Sequence, residues 1–144
     1  MKKATVVCLA SVVAVVLSGC ASSRINRDPM RFDYSVIDKT PEQIRDAAVA
    51  TAKDNGWTIC AYGENFLRAD YFYKGETISA DIAYNNVGFA VSPNLPFTTL
   101  KNKKGKVHRT VNNLVKNFAG QIKKKVHHPL SSDNHEVRIC RNAV

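Results

Sequence analysis

Phe66-Leu67-Arg68-Ala69-Asp70-Tyr71-Phe72-Tyr73 is followed by the turn signal Lys74-Gly75-Glu76 and then by Thr77-Ile78-Ser79-Ala80-Asp81-Ile82-Ala83-Tyr84. Side chains of an extended chain alternate between two faces, so these runs read as two half-buried strands of one hairpin. Leu67, Ala69, Tyr71 and Tyr73 point one way, as do Ile78, Ala80, Ile82 and Tyr84, while Arg68, Asp70, Ser79 and Asp81 point the other. The same period extends outward on both sides. Residues 57–62 form a run that ends at Gly63-Glu64-Asn65. Asn85-Asn86 is a two-residue link that tolerates positive φ, and it leads into residues 87–91. There Val87, Phe89 and Val91 extend the apolar face, and Gly88 and Ala90 the opposite one. Ser92-Pro93-Asn94-Leu95-Pro96 stops the ladder, because proline donates no hydrogen bond. Links this short predict a four-stranded antiparallel meander with one core face and one face that is wet or covered by a partner.

Helical patterns flank the meander. Thr40-Pro41-Glu42-Gln43 is a helix start: Thr40 caps, Pro41 suits the first position, and Gln43 reaches back. Ile44, Ala47, Ala48 and Ala52 share its apolar face until Asn55-Gly56 stops it. Residues 97–106 form a polar, Lys-rich loop. From Val107, the apolar positions Val111, Leu114, Val115, Phe118, Ile122 and Val126 recur at helical spacing, with Gly120 a weak point of about 1 kcal/mol. Residues 33–37 fit a short leading strand, and residues 135–140, beyond Pro129, an edge strand. The order α-β-β-β-β-α predicts an α+β two-layer sandwich with both helices on the apolar face of the sheet.

The amino terminus carries a different kind of signal. Met1-Lys2-Lys3 precedes an uncharged apolar run of about 14 residues, shorter than the roughly 20 a membrane-spanning helix needs, which reads as a signal peptide. Leu17-Ser18-Gly19-Cys20 resembles the lipobox of bacterial lipoproteins. That resemblance implies diacylglycerol on the Cys20 thiol, cleavage before it, and acylation of the new amino group. The expected organisation is a signal peptide at 1–19, lipid anchor and tether at 20–32, and a single domain at 33–144. Ala21, where an Asp favours inner-membrane retention in enterobacteria-like sorting, points to the periplasmic face of the outer membrane.

Cys8 leaves with the signal peptide and Cys20 is the lipid site, so Cys60 and Cys140 remain. In an oxidising compartment such a pair reads as a disulfide, with two free buried thiols as the alternative. No third ligand at metal-binding spacing accompanies them, so neither a metal nor a cofactor is expected.

The formal charge of +9 is unevenly placed. Acids slightly outnumber bases over residues 21–100, whereas residues 101–126 contain no acid. That segment holds Lys101, Lys103, Lys104, Lys106, Arg109, Lys116, Lys123, Lys124 and Lys125. A segment of this kind attracts polyanions or serves as a solvated face. In a cell envelope the polyanions are anionic lipid, lipopolysaccharide phosphate and peptidoglycan carboxylate, not nucleic acid.

Over residues 44–126 the chain resembles a family of small proteobacterial lipoproteins with no established activity. The matching features are Gly56-Trp57, Asp81-Ile82-Ala83-Tyr84, Ser92-Pro93-Asn94-Leu95, and a last helix opening with His108-Arg109 and continuing through Asn112, Val115 and Asn117. Ala80, Val111 and Leu114 depart from the family's Val, Tyr and Trp. The resemblance implies the fold and the envelope location.

Three sets of side chains bear on function. Asp81, Asn94, His108, Asn112 and Asn117 read as a structural polar cluster, with a His108–Asp81 hydrolytic pair as the competing view. His127-His128 before Pro129 suits a helix end better than a metal site. Phe72 falls on the wet face. The expected function is a lipid-anchored, non-catalytic module that binds an envelope component or a protein partner; the alternatives are a small hydrolase and an assembly subunit.

Overall fold

The computed structural model describes residues 26–128 and 136–141. Residues 1–25, which hold the expected signal peptide (1–19) and the expected lipid site Cys20, lie outside the described residues, as do Pro129 and His135. In chain order the elements are β1 (Asn26–Arg27), β2 (Phe32–Ser35), α1 (Pro41–Asp54), β3 (Thr58–Ala61), β4 (Phe66–Tyr73), β5 (Glu76–Tyr84), β6 (Gly88–Pro93), β7 (Val107–His108) and α2 (Arg109–Val126).

The class is α+β, but the sheet has five strands in the order β2-β6-β5-β4-β3, all antiparallel neighbours, not four. The meander β3 to β6 stands; the fifth strand is the leading segment, which adds to the free edge of β6 from Phe32↔Val91 to Ser35↔Gly88. Tyr34 stacks on Phe89 across this pair, with ring centroids 5.3 Å apart. Gly88 is required there, because a Cβ would collide with the Tyr34 carbonyl oxygen.

Leu67, Ala69, Ile78, Ala80, Ile82, Phe89 and Val91 are buried, as alternation predicts, while Val87 precedes β6 and is exposed. Against this face α1 lays Ile44, Ala47, Ala48 and Ala52, and α2 lays Val111, Val115, Phe118 and Ile122. Small alanines let α1 approach closely. Larger side chains fill the α2 side, where Phe118 stacks on Trp57 at 4.5 Å. The Thr40–Gln43 capping box is formed in both directions. At the other end Gly56 takes φ 77°, and the Trp57 amide donates to the Ala52 carbonyl at 2.9 Å, closing the helix with a left-handed turn.

One expectation from the helical spacing is corrected. Val107 and His108 do not open α2; they pair with Arg27 and Asn26 in a separate two-stranded ladder. Val107 is therefore buried as a strand residue, and the four-residue step to Val111 only mimics a helical repeat. Consequently the described part of the expected tether, residues 26–32, belongs to the domain: it contains β1 and the start of β2.

The carboxy-terminal edge strand reduces, among the described residues, to one parallel bridge between Ile139 and Ala61. Ala61 donates to the Arg138 carbonyl at 2.8 Å and accepts from the Cys140 amide at 2.7 Å. That contact brings Cys140 beside Cys60, and the two form a disulfide with their Cα atoms 5.0 Å apart.

Candidate functional site

The sheet face turned away from the helices is only partly open. β6 ends at Pro93, so the first half of β5, paired with β4 on one side, has no strand partner on the other. The following loop takes over its hydrogen bonds: the Asn94 amide donates to the Ser79 carbonyl, Thr98 Oγ1 accepts from the Ser79 amide, and Thr99 pairs with Thr77. Ser79, expected on a wet face, is buried beneath this loop.

Between the points where it touches β5, the loop arches over the outer face and forms a cleft of about 380 Å³ lined by Tyr62, Arg68, Asp81 and residues 93–97. Register places Arg68 directly opposite Asp81. Asp81 Oδ1 accepts from Asn94 Nδ2 at 3.0 Å and from the Tyr62 hydroxyl at 3.3 Å. Burial raises the Tyr62 phenol above its ordinary range, and the Asp81 charge and hydrogen bond raise it further. The Arg68 guanidinium lies 4.2 Å from the Phe97 ring centroid, and its Nε is 3.5 Å from Asp70 Oδ2, within ion-pair range but without a hydrogen bond. The lining offers one carboxylate, one guanidinium, one phenol and one amide beside the Phe97 ring, groups able to hydrogen-bond, pair with charge and stack. A second, shallower groove of about 530 Å³ crosses β2, β5 and β6, with Gly88, Ala90 and Ala83 as a flat floor and Arg31, Glu64 and Phe66 at its rim.

The expected polar cluster is divided among separate places. Asp81 and Asn94 share the outer cleft. His108 caps α2, its Nδ1 accepting from the Thr110 amide at 3.2 Å. Asn112 binds the incoming chain at Asp28 and Met30. Asn117 lines a small recess with Trp57 and Tyr71. Among the described residues Asp81 bonds to Asn94 and Tyr62, while His108 bonds to Thr110, so the two members of the expected hydrolytic pair have different partners.

The nine basic candidates also divide. The Lys101 ammonium donates to the Leu95 carbonyl and Lys125 pairs with Asp54, so both are engaged internally. Lys103, Lys104 and Lys106 sit on a tight loop closed by the Lys101↔Val107 bridge. Inside it, Asn102 Oδ1 accepts from the amides of Lys104 and Lys106, both at 3.0 Å, and Gly105 takes φ 78°. This bonding fixes the backbone while all three lysines remain exposed. Arg109 follows at the start of α2, and Lys116 and Lys123 continue its stripe at seven-residue steps, Lys123 lying 5.2 Å over the Tyr34 ring. Lys124 is exposed nearby. Among the described residues, Lys103, Lys104, Lys106, Arg109, Lys116 and Lys124 have no acidic partner.

Sequence reasoning missed Tyr62 and Phe97 as cleft residues. Alternation on β4 and β5 exposes Arg68 and Asp81 together, but nothing local announces which loop covers them. Among the described residues no group of three metal-ligating side chains occurs, and no helix is long and apolar enough to cross a membrane. His127 is the carboxy-terminal cap of α2. Comparison with protein-family models, with curated proteins and with solved structures finds no match.

Proposed function

We propose that the chain is an exported lipoprotein, held through lipid on Cys20 at the periplasmic face of the outer membrane, whose domain is a non-catalytic binding module for an anionic envelope component. The observation that carries this reading is the hydrogen-bonded loop that presents Lys103, Lys104 and Lys106 beside Arg109, all without acidic partners among the described residues. Cations on a fixed backbone lose less freedom on meeting an anionic surface than cations on a mobile tail. The lipobox-like Leu17-Ser18-Gly19-Cys20 and the resemblance to small proteobacterial lipoproteins support the location.

The test is co-sedimentation of residues 21–144 with anionic vesicles, lipopolysaccharide and peptidoglycan across a salt series. Binding to one of them that weakens as salt rises is the expected result, because screening removes surface attraction. Charge reversal at Lys103, Lys104 and Lys106 without loss of binding would sink it.

A second reading has the open sheet face docking a protein partner. The groove floored by Gly88, Ala90 and Ala83, with the exposed Phe66 at its rim, favours it. Salt-independent capture of one partner, abolished by Ala90→Arg, would select this reading over the electrostatic one.

A further inference from the structure

The chain enters the domain at the same end that carries the basic loop. β1 is in register with Val107 and His108, so Arg27 stands opposite Val107, the residue that closes the lysine loop, and lies beside the start of α2. Asn112 then fastens Asp28 and Met30 to the first turn of that helix. Six positions separate Cys20 from Asn26. At no more than about 3.6 Å per residue, they span roughly 20 Å. A domain of this length has a radius of gyration of about 13 Å, so such a leash keeps its entry end nearest to whatever holds Cys20.

We infer that this end is a membrane-docking surface, on which Arg27, Lys103, Lys104, Lys106 and Arg109 rest on anionic phospholipid head groups of the bilayer that holds the lipid of Cys20. The inference rests on the lipid-anchor reading and deepens it by naming the anion and the orientation. All five cations are exposed, and Asp28 is the one carboxylate in residues 26–31. Met30, exposed at the same end, adds an apolar side chain suited to the head-group region. Neither signal alone gives firm surface contact to the folded domain; acyl chains and a basic patch together do. The docked orientation would leave the outer sheet face free for other contacts.

The experiment is lysine-acylation footprinting of the mature, membrane-extracted chain reconstituted into vesicles, read by mass spectrometry. Vesicles of phosphatidylethanolamine with phosphatidylglycerol are compared with vesicles of phosphatidylcholine. The expected result is a loss of reactivity at Lys103, Lys104 and Lys106 on the anionic vesicles, reversed by high salt, while Lys53 on α1 and Lys124 at the far end of α2 are unchanged. Acylated Cys20 with equal reactivity on both vesicles overturns the docking surface and leaves the anchor standing. Cys20 without acyl mass overturns the anchor reading and this inference together. Protection by added lipopolysaccharide but not by phosphatidylglycerol overturns the assignment to the bilayer.

Discussion

The side-chain amide of Asn112 donates to the backbone carbonyl of Asp28 at 2.9 Å, across 84 positions of sequence. Its oxygen accepts from the Met30 amide at 3.0 Å, so one buried side chain in the first turn of α2 reproduces both halves of a strand pairing. The incoming chain is thereby attached to a helix that is itself anchored in the core.

Asn112→Ala should therefore free the segment ahead of β2 without unfolding α2. Both backbone partners lie near the surface and can turn to water, so the expected cost is about 1–2 kcal/mol, not the larger penalty of a sealed unsatisfied pair. Amide exchange at Met30 should rise to the rate of an unprotected site, with the amides of α2 unchanged. Protection at Met30 that survives the substitution would show that β1 and β7 hold the segment unaided.

The Cys60–Cys140 disulfide closes a sequence separation of 80 residues. Chain-entropy reasoning puts its contribution near 4–5 kcal/mol, with engineered and native cases commonly lower. Replacing both cysteines by serine should lower the unfolding free energy by about 2–5 kcal/mol in urea titration. The contact of residues 138–140 with Ala61 should also be lost, since among the described residues it amounts to one bridge. A loss under about 1 kcal/mol would mean that the unfolded chain is already restricted near this crosslink.

How far the sequence disclosed this arrangement depends on how local each contact is. β4 and β5 were legible because their alternation and the Lys74-Gly75 turn lie within one continuous stretch, and the Thr40–Gln43 box because its partners are three residues apart. β2 was readable as a strand, yet its partner β6 was not, since Phe32 meets Val91 from the far side of α1 and the whole meander. Val107 misled for the opposite reason. Its spacing to Val111 is locally helical, and only Arg27, distant in sequence, makes it a strand. The outer cleft follows the same rule: Arg68 and Asp81 were placed on one face by alternation, whereas Phe97 and Tyr62 arrive from separate loops with no local mark.

Two glycines should respond to alanine with opposite signs. At Gly88 an added Cβ meets the backbone of Tyr34 and Ser35, which cannot move without displacing β2, so Gly88→Ala should cost about 1–3 kcal/mol or detach the edge strand. At Gly120 nothing lies within 4 Å of the same atom. There Gly120→Ala should stabilise α2 by about 0.5–1 kcal/mol, through the smaller entropy lost on forming the helix. Thermal unfolding of the two variants beside the parent checks both signs, and a stabilised Gly88→Ala would refute the close approach of β2.

Alkaline titration tests the outer cleft. Burial raises the Tyr62 phenol, followed by the Asp81 charge and hydrogen bond, while Arg68 works in the opposite direction. A phenol raised in the folded state adds stability that is fully present below its unfolded value of about 10 and lost as pH climbs through the higher folded value. Tyr84, raised chiefly by burial, behaves likewise, so Tyr62 and Tyr84 should each ionise above the ordinary tyrosine value in a near-ultraviolet absorbance titration. Tyr62→Phe should remove one of these late transitions and reduce the loss of stability above pH 10. Asp81→Asn should move the Tyr62 transition downward without returning it to the ordinary value, because the larger cause, burial, remains. A Tyr62 transition that ignores Asp81→Asn would mean that the two side chains do not share the cleft.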